Sequence, residues 1–217
     1  VSKARQTIFF DLDGTLTDSR PGIVRCVQYA LNELDLPAPA ENELLWCVGP
    51  PLKESFAKLL GPNGDADRAV ALYRERFAEV GLFENSVYPG IEEVLASLRA
   101  AGVRLCVATS KAHVFATRIV EHFGLSRYLD DVFGAELTGV RSDKSELLAY
   151  ALEVMGLQGR HVAMVGDRSH DMVGARNNGM YGVGVLYGYG NLAELESAGA
   201  DRIVAEVAGL SGLLDGA

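Results

Sequence analysis

The feature that most restricts what this chain can fold into is an alternation. Short apolar, β-branched runs at Thr7 to Asp11, Val103 to Thr109, Val132 to Ala135, His161 to Gly166 and Gly182 to Tyr187 are separated by segments with helical spacing, and a sixth run follows at Arg202 to Ala205. The intervening segments put Ile91, Val94, Leu95 and Leu98, and then Leu147, Leu148, Ala151, Leu152 and Met155, on single helical faces. Gly102 and Gly156 stand where left-handed caps would end those two helices. Strand and helix in rotation predict parallel strands joined by crossover helices, an α/β fold with a doubly wound parallel sheet.

One stretch breaks the rotation. From Thr17 to Val87 no segment reads as a strand, and apolar residues recur at helical spacing: Ile23, Val27, Ala30, Leu31 and Leu34, then Phe56, Leu59 and Leu60, then Val70, Tyr73 and Phe77. A crossover between neighbouring parallel strands needs only about a dozen residues, so roughly 70 amount to a domain-sized insertion. The chain therefore divides into a core of residues 1–16 and 88–217 and a small all-α cap of residues 17–87. Hinges are expected at Gly14 to Arg20 and Asn85 to Gly90. Trp46, Phe56, Tyr73 and Phe77 follow the periodicity of a bundle core rather than that of a base-stacking surface.

A chain of 217 residues buries enough surface to fold without staples. Cys26, Cys47 and Cys106 are odd in number, far apart and set among apolar neighbours, without the paired spacing of a zinc or iron-cluster site, so they read as reduced core thiols of a cytoplasmic protein. Val1 to Gln6 carries Lys3 and Arg5 and runs straight into the first strand, unlike a signal peptide. No run reaches the roughly 20 apolar residues that a bilayer demands. Twenty Lys and Arg against 29 Asp and Glu give a net charge of -9, which disfavours a nucleic acid polymer as partner. A small anion can be accommodated only where metal and a few placed cations reverse that field.

The chemistry concentrates at strand ends. Phe9 and Phe10 run into Asp11-Leu12-Asp13-Gly14-Thr15, two carboxylates where a buried strand finishes, and packing alone does not explain them, because uncompensated charge there costs several kcal/mol. In an open α/β sheet the crevice beyond the strand C-termini is the binding site. Val162 to Val165 ends likewise in Gly166-Asp167, with Asp171 four residues on. Asp11, Asp13, Asp167 and Asp171 are thus candidates to converge on one hard cation, and an oxygen-rich set facing a phosphate suits Mg²⁺. Thr109 and Ser110 close the second strand, where a hydroxyl and following amides can hold phosphate oxygens, and Lys144 supplies a balancing cation before a helix.

In that order, Asp-Leu-Asp-Gly-Thr, the strand-two Thr, a loop Lys and Gly-Asp-x-x-x-Asp resemble the four motifs of the haloacid-dehalogenase-like superfamily, over essentially the whole chain. The cap position resembles the C1 helical-cap branch that includes phosphoglycolate phosphatases. Val48-Gly49-Pro50-Pro51-Leu52, Gly81 to Asn85, Ala108 to Lys111 and Gly184 to Gly190 look like its bacterial 5′-nucleotidase-type group. The resemblance implies a Mg²⁺-dependent phosphatase with Asp11 as nucleophile and Asp13 as general acid, then base. The dehalogenase branch lacks the second Asp, and ion-pumping ATPases carry Thr there, so Asp13 favours phosphatase or mutase. The implied substrate is a small phosphorylated metabolite, first a nucleoside 5′-monophosphate, alternatively phosphoglycolate, with β-phosphoglucomutase-like transfer third. A monomer or dimer is expected, away from membranes. In the cap, Gly49 and Lys53 are the candidates for contact with the leaving group.

Blander readings stand beside these. Thr109 and Lys144 also fit a turn hydroxyl and a surface cation; Lys111 and Arg168 read as solvated or supporting charges. His113, His122, His161 and His170 lack paired metal spacing, and the glycines at 182, 184, 188 and 190 do not make a dinucleotide fingerprint. A phospho-receiver switch also sets an acceptor Asp and a metal at strand ends, but it has no use for a lid or for Asp13.

Overall fold

The structure, a computed structural model, describes residues 7–213, so the features expected of Val1 to Gln6 lie outside the described residues. The elements begin with β1 (Thr7–Phe10), β2 (Thr17–Asp18), α1 (Arg20–Asn32), α2 (Leu52–Leu60), α3 (Ala66–Glu79) and β3 (Ser86–Val87). They continue as α4 (Ile91–Ala100), β4 (Arg104–Ala112), α5 (His113–His122), β5 (Asp131–Ala135), α6 (Lys144–Met155), β6 (Val162–Gly166), α7 (Ser169–Asn177), β7 (Tyr181–Val185), α8 (Leu192–Ser197) and β8 (Arg202–Val204). By contact the chain forms two compact units: the described residues up to Thr17 and from Val87 onward, and Asp18–Ser86. β2 and β3, which hold the two junctions, pair with each other.

The first unit is built on a six-stranded sheet in the order β5-β4-β1-β6-β7-β8, every pairing parallel. All four residues of β1 are buried, as a strand covered on both faces requires. Phe9 pairs with Cys106 of β4 on one side and Met164 of β6 on the other. From β1 the chain builds outward first through β4 and β5, then through β6, β7 and β8, so β1 is the topological switch point and the C-terminal ends of β4 and β6 flank its own. α4 buries Ile91, Val94, Leu95 and Leu98, and α6 buries Leu147, Leu148, Ala151 and Leu152, the faces read from periodicity. Gly102 and Gly156 follow these helices at φ 82° and 63°.

β4 runs three residues beyond the expected end at Thr109. Its ladder with β5 steps from Thr109↔Gly134 to Ala112↔Ala135, so Ser110 and Lys111 bulge out of register. Gly134 permits this: a Cβ there would stand 2.6 Å from His113 Cα and 2.9 Å from the Lys111 carbonyl oxygen.

The unit Asp18–Ser86 holds three α-helices and short 3₁₀ turns. α1 buries Ile23, Val24, Val27, Ala30 and Leu31; α3 buries Val70, Tyr73 and Phe77. The Tyr73 ring stacks on Phe77 at 5.3 Å and meets Phe56 edge-on at 6.2 Å. Trp46 departs from the bundle-core reading, being half-buried with the Lys58 ammonium 4.1 Å from its ring centroid. Cys26, Cys47 and Cys106 are buried; burial pushes the Cys47 thiol up to about 11 and Cys106 to about 12, which keeps both as unreactive thiols. Among the described residues no helix is long and apolar enough to cross a membrane.

Candidate active site

At the end of β1 the Asp11 amide still donates to the Val165 carbonyl at 2.9 Å, holding the residue in line with the sheet. The chain then turns sharply at Gly14, φ 82°, with the amides of Leu16 and Thr17 donating to the Leu12 carbonyl at 3.0 and 2.9 Å. Two acids are thereby presented at the mouth of the switch point. α6 begins at Lys144 because Asp143 caps it, its carboxylate accepting from the Ser145 and Glu146 amides at 2.9 and 3.0 Å. That start directs Lys144 inward, where it is only 4% exposed.

The Lys144 ammonium donates to the Ala108 carbonyl at 2.9 Å and lies 3.1 Å from Asp11 Oδ1 and 2.8 Å from Asp171 Oδ1. Burial alone would discharge it, but the Asp11 and Asp171 carboxylates outweigh burial and hold its pKa above the ordinary lysine value. Ligand oxygens of Asp11, Asp167 and Asp171 lie within 4.8 Å of one another. Burial pushes Asp167 up to about 8, with the Asp171 and Asp11 charges adding and the Tyr189 amide opposing. Asp171 is also raised, by burial first, against the pull of Lys144. Three grouped carboxylates, two of them against a single ammonium, leave negative charge that a proton or a cation must balance. The donors are all oxygen, so the residues fit a hard divalent ion.

Asp13 stands apart from this triad. Its Oδ2 lies 2.9 Å from the Lys111 ammonium, with the two side chains 13% and 8% exposed. Its Oδ1 is buried without a hydrogen-bond partner among the described residues. Of the four acids expected to share one cation, the structure thus groups three side chains and pairs the fourth with Lys111, which is buried rather than solvated because the β4 bulge turns it inward. Thr109 is buried on β4, two residues past the Val107 that pairs with Phe10, and its hydroxyl accepts from the Lys111 amide at 3.3 Å. Ser110 follows in the bulge. Gly49 and Lys53 belong to the helical unit: Gly49 takes φ 106°, and the exposed Lys53 ammonium lies 2.7 Å from Asp67 Oδ1. Arg168 pairs with Glu194 at 2.9 Å, in keeping with a supporting charge.

The profile of haloacid dehalogenase-like hydrolases matches residues 8–185. The chain belongs to that family. It is 44% identical over 209 residues to a protein of Pseudomonas aeruginosa named 5′-nucleotidase, covering 96% of this chain and 95% of that one. A protein of Mycobacterium tuberculosis named tyrosine-protein kinase PtkA is 43% identical over 185 residues, or 85% of this chain and 63% of that one. Among solved structures, a protein of Clostridium acetobutylicum described as a predicted phosphatase superimposes with a TM-score of 0.91 at 43% identity, covering 96% of this chain and 97% of that one.

Within this hydrolase fold a further set of residues surrounds Asp167 that sequence reading left unassigned. The Tyr189 amide donates to Asp167 Oδ2 at 2.8 Å and the Thr15 hydroxyl to Oδ1 at 3.4 Å, while the Tyr187 hydroxyl donates to the Thr15 carbonyl at 3.0 Å. Burial raises the Tyr187 pKa, so the hydroxyl stays a donor. Added Cβ atoms at Gly188 and Gly190 would fall 2.4 Å from Asp167 Cβ and 1.8 Å from its carbonyl oxygen. The alternating glycines after β7 were the available signal: they mark close backbone approach, here to a buried acid.

Proposed function

We propose that this hydrolase is a phosphatase that cleaves a small phosphate monoester, in the first instance a nucleoside 5′-monophosphate, through a phosphoryl group carried on Asp11. The observation that carries the reading is the grouping of Asp11, Asp167 and Asp171, with the buried Lys144 against Asp11 and Asp171, at the switch point of a parallel sheet. Mg²⁺ would be held by Asp11, Asp167 and Asp171, and when bound it supplies charge neutralisation and polarises the phosphoryl oxygens. Asp11 offers a carboxylate oxygen at the end of β1, beside the Lys144 ammonium. Lys144 offsets the repulsion between that carboxylate and a dianionic ester. Thr109, Ser110 and the amides of the bulge offer donors to the remaining phosphoryl oxygens. Asp13 carries a buried oxygen without a partner, able to hand a proton to the departing alkoxide and later to take one from water.

The name of the Pseudomonas relative supports the nucleotide assignment; the placement of the helical unit after β1 supports phosphoglycolate as the alternative. Kinase-type transfer, the activity in the mycobacterial relative's name, draws less support here, because an Asp at position 13 favours hydrolysis of a phosphorylated Asp11. A panel of nucleoside monophosphates, phosphoglycolate and sugar phosphates, assayed for released inorganic phosphate, tests the reading. Activity is expected to vanish on chelation, return with Mg²⁺ and be inhibited by Ca²⁺, whose larger, looser coordination spoils in-line attack. Turnover that survives thorough chelation would remove the metal from the mechanism.

A further inference from the structure

Two lysines with buried side chains pair with different acids of the site. Lys144 lies against Asp11 and Asp171, whereas Lys111 lies against Asp13. The second pairing is built by the backbone. Ser110 and Lys111 bulge from the β4–β5 ladder, and Gly134 leaves the space that the bulged segment occupies. A second contact ties the bulge down, the Lys111 amide donating to the Thr109 hydroxyl at 3.3 Å. The resulting pair is one-sided: Lys111 takes Asp13 Oδ2 at 2.9 Å and leaves Oδ1 buried with no hydrogen-bond partner. A buried carboxylate oxygen without a partner is costly to keep, so its persistence calls for a reason.

We propose that Lys111 is the positioning residue for Asp13. By holding one carboxylate oxygen it keeps Asp13 out of the Asp11, Asp167 and Asp171 triad and leaves the other oxygen open for the proton exchanged with the leaving group. This rests on the phosphatase reading above and adds to it a division of labour between the two lysines. Lys144 serves the transferred phosphoryl group, and Lys111 serves the leaving group through Asp13. The consequence is chemical. An alkyl ester such as a nucleoside 5′-monophosphate leaves as a strongly basic alkoxide and depends on a placed acid; 4-nitrophenyl phosphate leaves as a weakly basic phenolate and does not.

The test compares kcat/KM for those two esters, since that ratio reports steps only up to leaving-group departure and excludes hydrolysis of the phospho-enzyme. Lys111→Met is expected to lower kcat/KM for the alkyl ester by about 10²-fold, the lower range for a general acid, and for the aryl ester by less than about tenfold. Lys111→Arg should recover most of the alkyl activity, because a guanidinium can still hold one carboxylate oxygen. In an Asp13→Asn background, where no buried acid remains to be oriented or left unpaired, Lys111→Met should change the alkyl value by less than about threefold. Parallel losses on both esters would make Lys111 a phosphate ligand and overturn the proposal, as would a full Lys111 effect in the Asp13→Asn background or no effect anywhere. A wild-type chain that hydrolyses neither ester would overturn the phosphatase reading itself, an outcome distinct from an unmoved ratio between the two.

Discussion

Each unit of the chain holds one dense cluster of charge, and the two are built on opposite principles. In the helical unit Glu84 receives two guanidiniums, Arg76 at 2.7 and 3.2 Å and Arg25 at 2.9 Å. Its pKa falls, chiefly through the hydrogen bond from Arg76. In the sheet unit Asp167 is pushed up to about 8 by burial, with the neighbouring Asp171 and Asp11 charges adding. One carboxylate is more comfortable ionised in the fold than in water, and the other is less so. Folding stability explains the first cluster and is opposed by the second. A buried acid triad that the protein's own cations leave undercompensated is a site prepared for something that is added.

This contrast can be broken at either end. The largest stability effect is expected for Lys144→Met, which strips the sheet cluster of the ammonium touching Asp11 and Asp171. The metal-free protein near pH 7 should lose about 3–5 kcal/mol in urea unfolding, the range for breaking a buried pair, and Mg²⁺ should restore part of it. A loss below about 1 kcal/mol would mean that the triad carries little charge to compensate. Glu84→Gln in the helical unit should cost less, about 1–2 kcal/mol at pH 7, since Glu84 and Arg76 keep about a fifth of their side-chain surface exposed. Because the folded Glu84 pKa is depressed, its contribution is present above the unfolded glutamate value of about 4.3 and is lost as pH falls through the lower folded value. The gap between wild type and variant should therefore close on acidification, and a gap that widens would reverse the assignment. The smallest effect is expected for Lys53→Ala, whose pair with Asp67 is open to solvent. Its melting temperature should not move, while the ratio of rates on nucleotide and phosphoglycolate shifts severalfold. If both rates and that of an aryl phosphate fall together, Lys53 does not choose between the substrates.

The sheet was legible because a strand covered on both faces must be an unbroken apolar run, as Thr7 to Phe10 is, and because Gly102 and Gly156 end their helices for reasons local to the chain. Asp11, Asp167, Asp171 and Lys144 were legible as strand-end and helix-start charges. The partner of Asp13 was not. It depends on a register shift between β4 and β5 that no local pattern encodes, and a Lys after Thr109 and Ser110 looks the same in sequence whether it faces water or a buried acid. The contact of Tyr187 with Thr15 joins residues 172 apart and that of Tyr189 with Asp167 joins residues 22 apart, distances beyond what periodicity can see. Trp46 failed for a milder reason: helical spacing identifies a face without saying how deep it sits, and Lys58 covers that ring from solvent instead of the bundle.

Passage of the phosphoryl group through Asp11 is open to a single-turnover experiment. Enzyme in excess is mixed with labelled nucleoside 5′-monophosphate and Mg²⁺, quenched in acid within milliseconds, digested and mapped by mass spectrometry. Transient phosphate is expected on the peptide containing Asp11, decaying as free phosphate appears. No such adduct is expected in Asp11→Asn, whose turnover should fall on the order of 10³-fold or more while its far-ultraviolet circular dichroism is unchanged. Complete turnover with no chain-bound phosphate, an adduct on another residue, or an Asp11→Asn enzyme within tenfold of wild type would contradict it.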